Sequence, residues 1–238
     1  IIYLDNDLLF YRLSKRPLVV KKIIKYFIHT IDMAVSDSES NKQLFGKHSN
    51  APVHVCPPAP QDVSRKHGVR NDYGLYVGRL DPDKNIKRII AFGIQCPFFK
   101  KFVIVGDGSA KHYVKKLSKK YDKLIYAGKQ KDIEAYYNQC KFLIHIPDYD
   151  PHPRTTMEAA LCGCYPIISP GVGTKYLFDD MFIVPDPINF SSINKKIEYI
   201  LKHESHAAQI LKNNTSNMPT YKRTEQCLSK HLLRFIAR

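Results

Sequence analysis

From Tyr73 onward, short apolar runs alternate with segments in which apolar residues recur every three to four positions. The runs fall at residues 73–77, 101–105, 123–127, 142–146, 165–168 and 181–184. Runs this short and this continuously apolar read as strands buried on both faces, and the segments between most of them read as amphipathic helices. Strand and helix in alternation, joined by short connections, imply a parallel sheet covered on both faces: a doubly wound α/β domain. Such sheets bind ligands outside the carboxyl ends of their strands. The turns that follow each run are therefore where chemistry is expected.

The most informative turn follows the fourth run. Residues 144–170 read IHIPDYDPHPRTTMEAALCGCYPIISP: a strand, a polar turn with prolines, a helix opening near Arg154 and closing at Gly163, then a further strand. The N–H groups of Arg154, Thr155 and Thr156 would have no partner within the helix and would carry the positive end of its dipole, a setting that suits phosphate. Asp150 precedes the helix and Glu158 lies inside it, so two carboxylates frame those amides. Both residues also have plainer readings. Thr155-x-x-Glu158 fits a capping box, and Asp150 fits an ordinary turn residue before a proline.

The other turns carry weaker signals. After the first run comes Gly78-Arg79-Leu80-Asp81-Pro82-Asp83-Lys84-Asn85, where Lys84 near a helix start opposes the dipole unless an anion is close or its stem is solvated. Gly106-Asp107-Gly108 is a G-x-G without a third glycine, and Gly128-Lys129-Gln130 follows the third run. Gly171-x-Gly173-Thr174-Lys175 lacks the G-x4-G-K-[ST] spacing, which excludes a P-loop NTPase.

Lys and Arg number 37 against 22 Asp and Glu, a net charge of +15. Anionic partners follow, whether nucleotide phosphate, anionic lipid or nucleic acid, although a lysine-rich solvated surface accounts for most of the charge. Residues 8–35 form an expected amphipathic helix whose basic flank, residues 12–28, is a candidate contact for an anionic membrane surface. Residues 33–36 read as a short strand, Ser36 or Asp37 as the cap of a helix through Phe45, and residues 53–55 as a strand ending at Cys56-Pro57-Pro58. The double proline marks a domain boundary. Residues 189–213 read as helical, with Ser191 and Ser192 near the start and Asn213-Asn214 after the end, and residues 224–237 as a last amphipathic helix. Six cysteines at 56, 96, 140, 162, 164 and 227 show no C-x-x-C pair, which points to reduced thiols in a cytoplasmic protein. Cys162-x-Cys164 with His145 and His152 can be drawn as a metal site, but cysteine at a helix-to-strand turn is a common small core residue. No apolar span is long enough to cross a membrane, and the first residue is Ile, so the chain is expected to be a cropped piece of a longer one.

Together these motifs resemble the family-4 retaining glycosyltransferases. Asp150 stands at the first acidic position of their E-x7-E region, and Glu158-Ala159-Ala160-Leu161-Cys162-Gly163-Cys164-Tyr165-Pro166-Ile167 matches the rest. Gly78-Arg79-Leu80 through Lys84 matches their G-R-L-x-x-x-K turn. The sequence departs from the family in having Asp rather than Glu at 150 and His152-Pro153-Arg154 in place of a glycine-rich loop. The resemblance implies the GT-B architecture, with a Rossmann-like donor domain over 60–218, the C-terminal part of a second, acceptor-side Rossmann-like domain over 1–59, and a helix over 219–238 packing back on 1–59. It also implies metal-independent, cofactor-free transfer of a hexose, with retention, from a UDP-sugar or GDP-sugar to a glycan or lipid-linked acceptor. By the same resemblance Arg79 and Lys84 clamp the diphosphate, Glu158 takes the ribose hydroxyls and Asp150 the sugar. Gly78, Gly106 and Gly108 admit the ligand to the backbone, Gly128, Lys129 and Gln130 meet the base, and His152, Arg154, Thr155 and Thr156 line the phosphates. The competing readings are a degenerate, non-catalytic nucleotide-sugar binder and, more remotely, a nucleic-acid-binding module. The latter lacks any basic-aromatic recognition motif.

Overall fold

The computed structural model describes residues 2–4, 33–47, 49–66 and 68–236. The chain divides into two compact units, one of Ile1–Ala59 with Pro219–Arg238 and one of Pro60–Met218. The basic helix expected over 8–35, with its membrane flank at 12–28, lies outside the described residues except for its last three positions, which enter a strand.

In the first unit β1 (Ile2–Leu4), β2 (Ala34–Ser36) and β3 (Val53–Val55) form a parallel sheet in that order. Between β2 and β3 runs α1 (Glu39–Gly46). Its cap is Ser38, not Ser36 or Asp37: the Ser38 hydroxyl accepts from the Asn41 N–H at 3.2 Å. Ser36 is the last residue of β2, and Asp37 accepts instead from the Asn41 side chain. The C-terminal helix spans Tyr221–Ile236, three residues longer at its start than expected. It carries Cys227, which forms a disulfide with Cys56. This corrects the expectation that all cysteines are reduced: the two lie 171 positions apart, and no spacing rule connects them. Cys96, Cys140, Cys162 and Cys164 are free and buried.

In the second unit five of the six apolar runs form one sheet. These are β4 (Asn71–Val77), β5 (Lys101–Val105), β6 (Leu124–Gly128), β7 (Cys140–His145) and β8 (Tyr165–Ile168), all parallel, in the order β6-β5-β4-β7-β8. The chain thus starts in the middle, walks to one edge and returns to build the other half, so the strand order reverses between β4 and β7. Connecting helices are α2 (Ile86–Gln95), α3 (Lys111–Lys120), α4 (Glu134–Gln139) and α5 (Arg154–Leu161), and β8 leads on to α6 (Phe190–Lys202) and α7 (Glu204–Ser216).

The strands are apolar on both sides because each side has its own core. Tyr76, Phe102, Ile104, Phe142 and Ile144 pack with Ile86, Ile89 and Phe92 of α2, whereas the alternate residues Leu75, Val103, Val105 and Leu143 pack with Tyr137 and Ala159. Each large side chain so buried contributes about 1.5–3 kcal/mol. Cys140, Cys162 and Cys164 belong to the second core, and burial pushes the Cys140 and Cys162 thiols up to about 12. They are packing residues, and among the described residues they form no donor group with His145 or His152.

Two expectations fail here. Residues 181–184 are not a sixth strand: Asp180–Phe182 is a 3-10 turn capped by Asp179, and only Ile183 bridges β8, at Ile168. The helical stretch expected to end before Asn213-Asn214 runs through them to Ser216, as two helices broken at His203, the first capped by Asn189 in a reciprocal box with Ser192.

Candidate functional site

The carboxyl ends of β4 and β7 meet where the strand order reverses, and polar contacts tie the two loops together there. Lys84 reaches across to Asp150, with Nζ 2.6 Å from Oδ2. The same Oδ2 lies 3.0 Å from His145 Nε2. Burial pushes the Asp150 carboxyl up, but its hydrogen bond to His145 and its interactions with His145 and Lys84 outweigh this and bring it down to about 2. Both contacts fall on one oxygen, so Oδ1 has no hydrogen-bond partner among the described residues.

Asn85 makes the second tie. Its Nδ2 donates to Ile146 O at 3.1 Å and to Asp148 Oδ1 at 2.7 Å. It does so from a left-handed backbone (φ 54, ψ 31), just before α2 begins. Asparagine tolerates that region better than other non-glycine residues.

The loops after β4, β5 and β6 are laced edge to edge. Gly78 N–H donates to Val105 O, Leu80 N–H to Asp107 O and Gly106 N–H to Gly128 O. Ser109 donates from both its N–H and its hydroxyl to Asp81 Oδ1. These contacts explain Gly106 and Gly108 differently from the sequence. A Cβ on Gly106 would lie 1.9 Å from Gly78 O, and one on Gly108 2.7 Å from Leu80 N. Both glycines are needed for loop-on-loop packing whether or not a ligand approaches.

The turn after β8 supports the Asp150 loop. Asp150 and Val172 form an isolated parallel bridge, with Asp150 N–H donating to Gly171 O and Gly173 N–H to Asp150 O. A Cβ on Gly171 would meet Asp148 O at 2.0 Å, and one on Gly173 would meet Pro151 O at 1.9 Å. Thr156 Oγ1 pairs with Thr174 Oγ1 at 3.0 Å, and the Ser169 hydroxyl donates to Pro147 O. Residues 171–174 thus hold the Asp150 segment in place.

Between the two acids α5 begins without a side-chain cap, its N-cap position being Pro153. Arg154 is exposed, whereas Thr156 is fully buried. Thr155 Oγ1 is buried and has no hydrogen-bond partner among the described residues. The Thr155–Glu158 capping box does not form. Glu158 is only 4% exposed, and its carboxylate accepts from Gln61 N–H at 3.2 Å and from the Tyr137 hydroxyl at 3.0 Å. Burial first, then the charge of Glu158 and the hydrogen bond to it, push the Tyr137 phenol well above its usual range, so Tyr137 stays a donor.

The structure therefore groups Lys84, Asp150 and His145, and places the start of α5 between Asp150 and Glu158. Arg79 is not in that group: its side chain is 60% exposed and pairs with Asp81 at 2.8 Å and Asp83 at 3.2 Å. His152 is buried. After β6, Lys129 is exposed and the Gln130 side-chain amide folds back to donate to Ala127 O. Sequence reasoning missed Asn85, Gln61 and Tyr137, and saw His145 only as a metal ligand. The motifs on the strand-end loops carry no mark of the neighbours that hold them. A cavity of about 620 Å3 lined by Asp180, Asn189, Lys195, Lys196 and Tyr199 among others shares no residue with these loops.

The fold has known counterparts. Sucrose-phosphate synthase from Thermosynechococcus elongatus is similar in structure, with 18% identity, a TM-score of 0.83, and coverage of 99% of this chain and 68% of that one. HepE from Anabaena, in complex with UDP and glucose, has 16% identity and a TM-score of 0.81, covering 98% and 71%. TarM from S. aureus, in complex with UDP and α-GlcNAc-glycerol among others, has 16% identity and a TM-score of 0.74, covering 89% and 46%. At such identities the likeness shows the fold, which is the α/β fold of the GT-B glycosyltransferases. No curated protein matches the chain by sequence. Residues 61–217 match the family described as "Glycosyl transferases group 1", and the chain belongs to that family.

Proposed function

We propose that this glycosyltransferase is a retaining hexosyltransferase of the family-4 type, which takes a nucleotide diphosphate sugar on the loops after β4, β5, β6 and β7. The observation that carries the reading is the uncapped start of α5, with the unpartnered Thr155 hydroxyl, between the two carboxylates of Asp150 and Glu158. Thr156 N–H is taken by Pro153 O, which leaves the N–H groups of Arg154 and Thr155 and the buried Thr155 hydroxyl to favour the diphosphate. Asp150 Oδ1 accepts from a sugar hydroxyl, and Glu158 uses its remaining lone pairs for the vicinal ribose hydroxyls. Gly128, Lys129 and Gln130 border the base.

As the sugar leaves, negative charge grows on the diphosphate, and donors already aimed at it lower the barrier. Lys84 spends one of its three N–H donors on Asp150 and keeps two for phosphate. Arg79, exposed and paired only with loop carboxylates, swings to the second phosphate. No metal or cofactor is assigned a part. HepE has been seen with UDP-glucose as well as with UDP, so UDP-glucose is the first donor to test, with a glycan or lipid-linked sugar as acceptor. We place the reaction at the cytoplasmic side, with residues 12–28 as the membrane contact, and assign residues 60–218 the donor and residues 1–59 part of the acceptor side.

Calorimetric titration with UDP and with GDP tests the site. Saturable binding of one nucleotide is expected, weakened by Glu158→Gln and by Thr155→Val on the order of 10-fold each, the worth of a hydrogen bond to a charged or unpaired buried group. Binding unaffected by either substitution would remove the assignment. With UDP-glucose and an acceptor, an α-linked product seen by NMR supports retention, and binding without turnover assigns a non-catalytic nucleotide-sugar binder.

A further inference from the structure

The unit formed by Ile1–Ala59 and Pro219–Arg238 contains a second cluster with its own chemistry. His54 lies on β3 and Cys56 follows two residues later, so their side chains leave the same face of the extended chain. Cys227 and His231 are four apart on the C-terminal helix and share one of its faces. The fold brings the two pairs together. The donor atoms of Cys56, Cys227 and His231 all lie within 4.8 Å of one another, and the His54 ring stacks on the His231 ring with centroids 3.8 Å apart and planes 17° from parallel. Cys56 is fully buried, and Met33, Val35 and Leu228 pack around the cysteines. A disulfide accounts for the two sulfurs alone and gives the two histidines no part.

We propose that the reduced form of this cluster is a zinc site, with Cys56, Cys227 and His231 as ligands, a water in the fourth tetrahedral position, and His54 stacked on the His231 ring to orient it. Two thiolates and one imidazole, with a water in the fourth position, are a donor set that Zn2+ favours. Bonds of about 2.0–2.3 Å would space the ligand atoms roughly 3.3–3.8 Å apart, inside the sphere that already contains three of them. Cys-x3-His on the helix presents two ligands, and the extended segment adds Cys56 as the third. Opening the disulfide takes two electrons and two protons from a dithiol, which is itself oxidised to a disulfide. The two protein thiols then release their protons to solvent as Zn2+ binds. In a reducing compartment, where disulfides do not persist, the metal supplies the same cross-link between the β3 segment and the C-terminal helix. The cross-link is thus kept in either redox state.

The test uses the full chain, reduced with a phosphine and desalted under argon, then titrated with Zn2+ against a chromophoric chelator and separately with Co2+. One Zn2+ per chain is expected in the reduced protein and none in the oxidised one, with a thiolate-to-cobalt charge-transfer band and the visible absorption of tetrahedral Co2+. Cys227→Ser and His231→Ala should each weaken uptake on the order of 100-fold or more, and His54→Ala about 10-fold. Far-UV circular dichroism of each variant establishes that it is folded, and His231→Ala leaves both sulfurs in place. No stoichiometric uptake by the reduced, folded chain would overturn the proposal. So would uptake unchanged in the Cys56→Ser/Cys227→Ser variant, which would place the metal on other cysteines.

Discussion

Replacing Lys84 with methionine removes one of the two groups that keep Asp150 charged while preserving the length of the side chain. The Asp150 carboxyl moves from 3.8 to about 2 on folding, which at ~1.4 kcal/mol per unit is about 2 kcal/mol. Because the folded value is the lower one, this stability is fully present above 3.8 and is lost as the pH falls through 2. Without Lys84, whose side chain is 12% exposed against 8% for Asp150, the upward push of burial is opposed by His145 alone. The loss at neutral pH should be about 2–3 kcal/mol, somewhat under the usual cost of breaking a buried pair because His145 remains. The acid limb of the stability profile should also move to higher pH. Urea unfolding followed by circular dichroism, with Lys84→Met, Asp150→Asn and the double variant, measures both effects as changes in midpoint at constant slope. The double variant should be less destabilised than the two singles summed, by about 1 kcal/mol or more. Single variants within ~0.5 kcal/mol of the parent, or strict additivity, would mean that Lys84 and Asp150 are not coupled in the folded protein.

Other substitutions probe the same loops. Gly106→Ala puts a Cβ 1.9 Å from Gly78 O and should cost about 3 kcal/mol or prevent folding, as read by thermal unfolding. At Asn85 both Ala and Gly lose the bonds to Ile146 and Asp148, but only Ala keeps the strain of the left-handed backbone. Asn85→Ala should therefore be the less stable by about 1 kcal/mol in urea. Tyr137→Phe takes one donor from Glu158 and should cost about 1–2 kcal/mol of stability, while weakening UDP binding less than Glu158→Gln does in the same titration. Asn189→Ala at the start of α6 should cost about 1 kcal/mol with no change in UDP affinity.

What could be read in the sequence followed from periodicity and turn chemistry. Runs apolar on both faces announced β4 to β8, because a doubly covered sheet demands them. Residues 181–184 imitate the same signal, yet Met181, Phe182 and Val184 fill the core from a 3-10 turn and its continuation. Burial alone does not specify backbone geometry. The break at His203 carries no Gly or Pro, and its N–H simply returns to Tyr199 O and Ile200 O. At the site, the order Lys84, Asp150, Glu158 was visible because each residue follows a strand end. Their partners were not, since Tyr137 reaches Glu158, and Asn85 reaches Asp148, only through strand order. The meeting of Cys56 with Cys227 is likewise a product of topology, 171 residues apart.

The most direct measurement is a crystal structure of the chain with UDP-glucose. The diphosphate is expected at the start of α5, within hydrogen-bond reach of Thr155 Oγ1 and Lys84 Nζ, with the ribose hydroxyls on Glu158 and the glucose toward Asp150 Oδ1. Nucleotide found instead in the cavity beside Lys195 and Tyr199, or a start of α5 left empty at saturating donor, would contradict this placement.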